Sequence, residues 1–175
     1  MSAAGEGGSP DAAGRGEVAP EATPDGAAPG PVGTPPPDGS YAGDLTPQQA
    51  WELLRDDERA VLVDVRTDAE WAYVGVPDVS GLGRDVLGVQ WQHFPTGERN
   101  PSFLAELADA GVGEQTPVVF LCRSGVRSVG AAQAATTAGL GPAYNVLDGF
   151  EGPPDEDHHR GVRGWRADGL PWRQG

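Results

Sequence analysis

An α/β fold is predicted for this chain, with a mostly parallel sheet and helices on both faces. Three observations carry that prediction. Short continuous apolar runs at residues 60–65 and 118–121 have the length and composition of strands buried on both faces. Helix-start and helix-stop signals fall between them, so strands and helices alternate as in βαβ units. Residues 1–43 are rich in Pro, Gly and Ala and offer almost nothing apolar to bury before Tyr41. Such a segment cannot offset its own ordering entropy, so a disordered tail is expected ahead of a single domain at 44–175.

Taken in order, Thr46-Pro47-Gln48-Gln49 is a capping box with Pro at the first helical position, and Ala50, Leu53 and Leu54 give that helix its apolar stripe. Residues 60–65 form the first strand, and 86–91 a second, weaker one. Asn100-Pro101 opens a helix running through Phe103, Leu104 and Leu107 to a stop near Gly111. Val118, Val119, Phe120 and Leu121 make the clearest strand, followed by a loop at 122–128 and a small-residue helix at 130–138 ended by Gly139. A last strand is expected at 143–147. Residues 152–163 are polar and read as a surface loop, after which Trp165, Leu170 and Trp172 return apolar bulk to pin the C-terminus.

The charge balance narrows the partners. The formal net charge is −14; Glu6, Asp11, Glu17, Glu21, Asp25 and Asp38 against Arg15 place −5 in the tail and leave −9 for the domain. An anionic surface argues against nucleic acid. No stretch approaches a membrane span and no secretory signal is visible, so a cytoplasmic protein with no membrane partner is expected. One cysteine excludes an internal disulfide framework and any multi-cysteine metal site. Every basic side chain other than His is Arg, which weakens any single Arg as a functional signal.

That cysteine, Cys122, follows the strand at 118–121, at a strand's carboxyl end, where open α/β sheets bind ligands. A lone Cys after an apolar strand is ordinarily a small buried hydrophobe. Here it begins Cys122-Arg123-Ser124-Gly125-Val126-Arg127-Ser128, a loop entering a helix. Loop amides, the helix N-terminus and two cations all favour a thiolate there. Four residues separate Cys122 from Arg127, and Ser128 stands where a Cys-x5-Arg phosphate ring needs Arg. The ring is one residue short, which argues against a cysteine phosphatase or arsenate reductase.

CRSGVRS resembles the active-site loop of the single-domain rhodanese-like sulfurtransferase family. Three further stretches resemble the same family in the same order: Asp64-Val65-Arg66 with Glu70-Trp71 and Pro77, Asn145-Val146-Leu147-Asp148-Gly149-Phe150, and Gly164-Trp165 with Gly169-Leu170-Pro171. The resemblance spans about residues 44–175. It departs from the family pattern in lacking the His of the Gly-His-Ile-Pro-Gly stretch, in Phe150 standing for the second Gly of a Gly-Gly pair, and in a longer polar insert after Gly152. It implies a ping-pong sulfur transfer with Cys122 as catalytic nucleophile. A small-molecule donor such as thiosulfate would yield its sulfane sulfur to Cys122, and a thiol or cyanide would collect it. Arg123, Ser124, Gly125, Val126, Arg127 and Ser128 would cradle the persulfide or grip the donor, with no cofactor. The resemblance also admits a sulfur-relay or regulatory module supplied by a protein donor.

Asp64, Arg66 and Gly149 are possible pocket-edge residues. Asp64 is expected to accept bonds from loop amides or an Arg, and Arg66 to pair with Glu70 four residues on. His158 and His159 beside Asp155 and Asp157 lack ligand spacing, so no metal is expected.

Overall fold

A computed structural model describes residues 33–174. Five parallel strands form the main sheet: β1 (Gly43–Leu45), β2 (Val61–Asp64), β4 (Leu87–Gly88), β5 (Val118–Leu121) and β6 (Ala143–Val146), in the order β1-β6-β5-β2-β4. A small antiparallel pair, β3 (Val76–Pro77) with β7 (Trp172–Arg173), stands apart from it. Four helices connect these strands: α1 (Pro47–Asp56), α2 (Asp68–Val74), α3 (Phe103–Asp109) and α4 (Val126–Thr137). The predicted α/β class and its parallel sheet are observed.

Period-2 alternation on the central strands builds two cores at once. Val63, Val118 and Phe120 face Phe103 and Leu107 of α3 and Ala131, Ala132 and Ala135 of α4. Leu62, Val119 and Leu121 face the other way, against Ala50, Leu53 and Leu54 of α1 and against Phe150 and Trp165. Small side chains on α4 allow a close approach: a Cβ on Gly130 would stand 2.9 Å from Trp91. Trp91 is buried there, edge-on to Phe103 at 4.8 Å between ring centroids, while Trp165 is fully buried in the opposite core.

Several boundaries differ from the expected ones, each for a physical reason. The packed domain begins before residue 44. Tyr41 is buried and Thr34 bridges Asp44, so part of the stretch assigned to the tail lies on the sheet edge, and residues 1–32 are outside the described ones. α4 starts at Val126 rather than 130, because Gly125 takes a φ of 86° and turns the loop straight into the helix. α3 starts at Phe103 because the Asn100 side chain accepts from the Ser102 amide and holds 100–102 in a turn. Only Leu87–Gly88 of the 86–91 strand pairs as ladder, although the Val89 and Trp91 amides still bond Asp64 and Val65 carbonyls. α2 was not expected, yet Thr67 and Glu70 form its complete capping box. Residues 152–163 carry no helix or strand.

Candidate functional site

All five parallel strands end level along one edge of the sheet, and the chain's chemistry gathers beyond it. β5 ends at Leu121, beside Asp64 at the end of β2, and Cys122 is the next residue. Its side chain is 1% exposed. The Cys122 Sγ lies 3.2 Å from the Gly125 amide, which donates to it, and 3.1 Å from Ser128 Oγ. Both partners sit at the start of α4, whose N-terminal end adds a positive potential.

The loop takes this shape because the segment after β6 braces it from behind. The Phe150 amide donates to the Cys122 carbonyl at 2.8 Å, and the Glu151 amide to the Arg123 carbonyl at 3.0 Å. Gly149 makes the brace fit: its φ is 58°, and a Cβ there would stand 2.7 Å from the Arg123 carbonyl carbon and the Ser124 amide nitrogen. Gly149 is therefore a backing residue of the loop rather than a pocket wall.

Ser128 is fully buried and belongs to a longer chain of polar groups. Its Oγ lies 2.6 Å from Asn145 Oδ1; Asn145 Nδ2 donates to Asp44 Oδ1 at 2.7 Å; and the Tyr41 hydroxyl donates to the same oxygen at 2.9 Å. Burial first, and then the bond and charge of Asp44, push the Tyr41 hydroxyl up to about 12, so it remains a donor. Sequence reasoning singled out neither Asp44 nor the role of Asn145. The available signal was a polar residue inside the otherwise apolar β6.

Arg127 does not stand free. Its Nη1 and Nη2 donate to Glu70 Oε2 and Oε1 at 2.9 and 2.6 Å. Burial works against the Glu70 carboxylate, but the Arg127 bonds, the Thr67 amide and hydroxyl, and the Arg127 charge outweigh it and hold the group at about 2. Burial likewise works against the Arg127 cation, and Glu70 outweighs it, holding that group above its ordinary range. The spacing Thr67-x-x-Glu70 is a capping-box signal that sequence reasoning passed over; the second task of Glu70, binding Arg127, leaves no local signal.

The expected Arg66–Glu70 pair is not formed. Arg66 is fully buried, and its Nε and Nη2 bond the Asp64 carboxylate, at 2.9 and 2.6 Å for the shortest contacts, while Nη2 also reaches the Gly75 carbonyl at 2.7 Å. The Phe150 ring covers the guanidinium at 4.0 Å. Asp64 thus accepts from an Arg, as one of its expected roles had it, and the two residues lock the end of β2 to the end of α2.

A shallow cavity of about 760 Å³ opens beside the loop, lined by Thr67, Glu70, Arg123, Ser124, Val126 and Arg127, with Tyr73 and Phe94 at its rim. Arg123 is exposed and makes no ion pair among the described residues. Tyr73, Phe94 and Val126 are 81%, 65% and 75% exposed. His158 and His159 lie in the exposed 152–163 loop, where Asp155 accepts from the His159 amide.

Comparison with known proteins bears on the family and the fold. The family model described as "STR4 middle domain" matches residues 43–175. The crystal structure of Rv0390 from M. tuberculosis is 64% identical and superposes with a TM-score of 0.72, covering 77% of this chain and 99% of that one. An uncharacterized protein of Rickettsia conorii is 37% identical over 125 residues, 71% of this chain and 92% of its own length. Thiosulfate sulfurtransferase GlpE of Actinobacillus pleuropneumoniae is 30% identical over 128 residues, 73% of this chain and 90% of its own length. A family model spanning residues 43–175 and a thiosulfate sulfurtransferase 30% identical over nearly its whole length, on the same parallel α/β fold, assign the chain: it belongs to the rhodanese-like domain family of sulfurtransferases.

Proposed function

We propose that this protein moves a sulfane sulfur from a donor such as thiosulfate to a thiophilic acceptor, with Cys122 carrying the sulfur as a persulfide. The observation that carries the reading is the placing of Cys122 Sγ at the carboxyl end of β5, with the Gly125 amide donating to it and Ser128 Oγ 3.1 Å away. In the first half-reaction the Cys122 thiolate attacks the outer sulfur of thiosulfate. The Cys–S bond forms, the S–S bond of the donor breaks, and sulfite leaves with the electron pair. In the second, an acceptor thiolate or cyanide attacks the terminal sulfur, taking it as a persulfide or thiocyanate and returning the Cys122 thiolate. Backbone amides of residues 123–128 would offset the charge on the terminal sulfur, as an oxyanion hole does. The likeness to a relative named thiosulfate sulfurtransferase supports the choice of donor.

The test is direct. After incubation with thiosulfate and removal of excess donor, intact mass should show one added sulfur, mapped to Cys122 and absent in Cys122→Ser. Cyanide should then release thiocyanate. No adduct and no thiocyanate would exclude thiosulfate as donor.

A second reading has its own observation. Glu70 offsets part of the Arg127 charge, Arg123 is the one cation at the cavity with no ion pair among the described residues, and three largely apolar side chains stand exposed around the cavity. That favours a persulfide presented by a protein, and the chain would then act as a relay. An adduct that forms with a persulfidated protein donor and not with thiosulfate selects this reading.

A further inference from the structure

The Ser128 hydroxyl has one hydrogen and two neighbours within reach: Asn145 Oδ1 at 2.6 Å and Cys122 Sγ at 3.1 Å. Which one receives it is settled at the far end of the chain of bonds. The Asp44 carboxylate accepts from both the Tyr41 hydroxyl and Asn145 Nδ2 at its Oδ1. A carboxylate has no hydrogen to give, so the Asn145 amide must turn its Nδ2 to Asp44 and its Oδ1 to Ser128. Oδ1 has no hydrogen either. Ser128 therefore donates to Asn145 and shows Cys122 a lone pair.

We propose that Asp44 and Asn145 are positioning residues that hold the Ser128 hydrogen away from Cys122, keeping the sulfur in its thiol form until the hydroxyl is released. With the thiol present, S–H donates to Ser128 Oγ. When the thiolate forms, its proton leaves to solvent and the Ser128 hydroxyl rotates about its Cβ–Oγ bond to donate to sulfur, with no proton exchanged between Ser128 and Asn145. That rotation strips Asn145 Oδ1 of its donor inside the fold, which is where the opposition arises. The Gly125 amide donates to Sγ in both states, more strongly to the thiolate, and its bond is independent of how Asp44 and Asn145 orient the Ser128 hydroxyl. Of the other charged groups nearby, Arg127 is paired with Glu70 and Asp64 with Arg66, while Arg123 is exposed to solvent and makes no ion pair among the described residues.

The inference rests on Cys122 being the nucleophile, and it is tested by alkylation, which needs no sulfur donor. The rate of Cys122 modification by iodoacetamide is measured at one neutral pH in wild type, Asp44→Asn, Ser128→Ala and the double variant, with thermal melts of each. In Asp44→Asn the new amide can donate to Asn145 Oδ1, which lets Asn145 turn its Nδ2 to Ser128 and frees the hydroxyl for sulfur. Alkylation should then speed up roughly fivefold or more, and the gain should vanish when Ser128→Ala is added. A gain that survives Ser128→Ala would assign the effect to the Asp44 charge acting through space and overturn the proposal. Unchanged or slower alkylation in Asp44→Asn would overturn it too. Asn145→Ala removes the competing acceptor itself and should accelerate alkylation if Asp44→Asn fails to fold; no acceleration there is equally fatal. Failure of sulfur transfer with a normal alkylation pattern would strike the proposed function and leave this inference standing.

Discussion

Arg127 on α4 reaches Glu70 on α2 through two parallel hydrogen bonds, Nη1 to Oε2 at 2.9 Å and Nη2 to Oε1 at 2.6 Å. The same Glu70 accepts from the Thr67 amide and hydroxyl at 2.9 Å each. One carboxylate thus caps a helix and holds a loop arginine. The pair ties the wall of the cavity to the helix that begins beside Cys122, so its charge state bears on both stability and donor binding.

The pair should make stability fall in acid within a defined window. Glu70 stands at about 2 in the fold against 4.5 for the free group. A depressed carboxyl contributes stability that is fully present above 4.5 and lost as pH falls from 4.5 toward 2. Urea unfolding of wild type and Glu70→Gln across that range should show a constant gap at neutral pH that closes in acid. A gap that does not close would mean that packing, rather than charge, separates the two proteins.

Donor selectivity should respond to the same pair. Arg127→Ala removes the only cation shared by the loop and the cavity wall apart from Arg123, so kcat/KM on thiosulfate should fall about tenfold. The loss on a neutral alkyl persulfide should be smaller, since that donor has no sulfonate to hold. Equal losses on both substrates would remove Arg127 as an anion grip and leave it a structural partner of Glu70.

Local chemistry in the sequence was enough for the strand at 118–121, for the strand from Ala143, for the first helix and for the Cys122–Ser128 loop as a strand-to-helix turn, because each rests on neighbouring residues. Pairings across the fold were not. Arg66 and Glu70 have ideal helical spacing, yet Arg66 lies before the N-cap Thr67 and points back to Asp64, so the i,i+4 rule did not apply to it. The partners of Arg127 and Ser128 lie 57 and 17 residues away, and only the sheet order brings them together. Gly149 was read as a pocket edge because its contact with the Cys122 loop is likewise created by folding.

Gly149→Ala should damage the site without touching a reacting group. Its backbone occupies the left-handed region, and the added methyl would meet the Arg123 and Ser124 backbone at 2.7 Å. Backbone atoms cannot yield as a side-chain tip can. Strain and overpacking together should lower stability by about 2–4 kcal/mol and move the loop. Sulfur loading of Cys122 should drop more steeply than the melting temperature alone explains. Normal loading in a folded Gly149→Ala protein would show that the brace does not shape the loop.

Arg66 and Asp64 give the last prediction its sign. Both side chains are buried, bonded to each other at 2.6 Å and covered by the Phe150 ring. Removing one charge strands the other: Arg66→Met leaves the Asp64 carboxylate with the Arg66 position's backbone amide as its remaining partner, at 3.1 Å. Breaking a buried pair in this way costs about 3–5 kcal/mol, whereas replacing both charges removes the stranded one. Adding Asp64→Asn to Arg66→Met should therefore recover part of the loss, a non-additive result measurable by denaturant unfolding. Phe150→Ala should also cost about 3–5 kcal/mol, through the cavity left above the guanidinium. If the double replacement is instead as unstable as the sum of its singles, the link from the end of β2 to the Gly75 carbonyl, rather than the charge pairing, is what holds this corner of the fold.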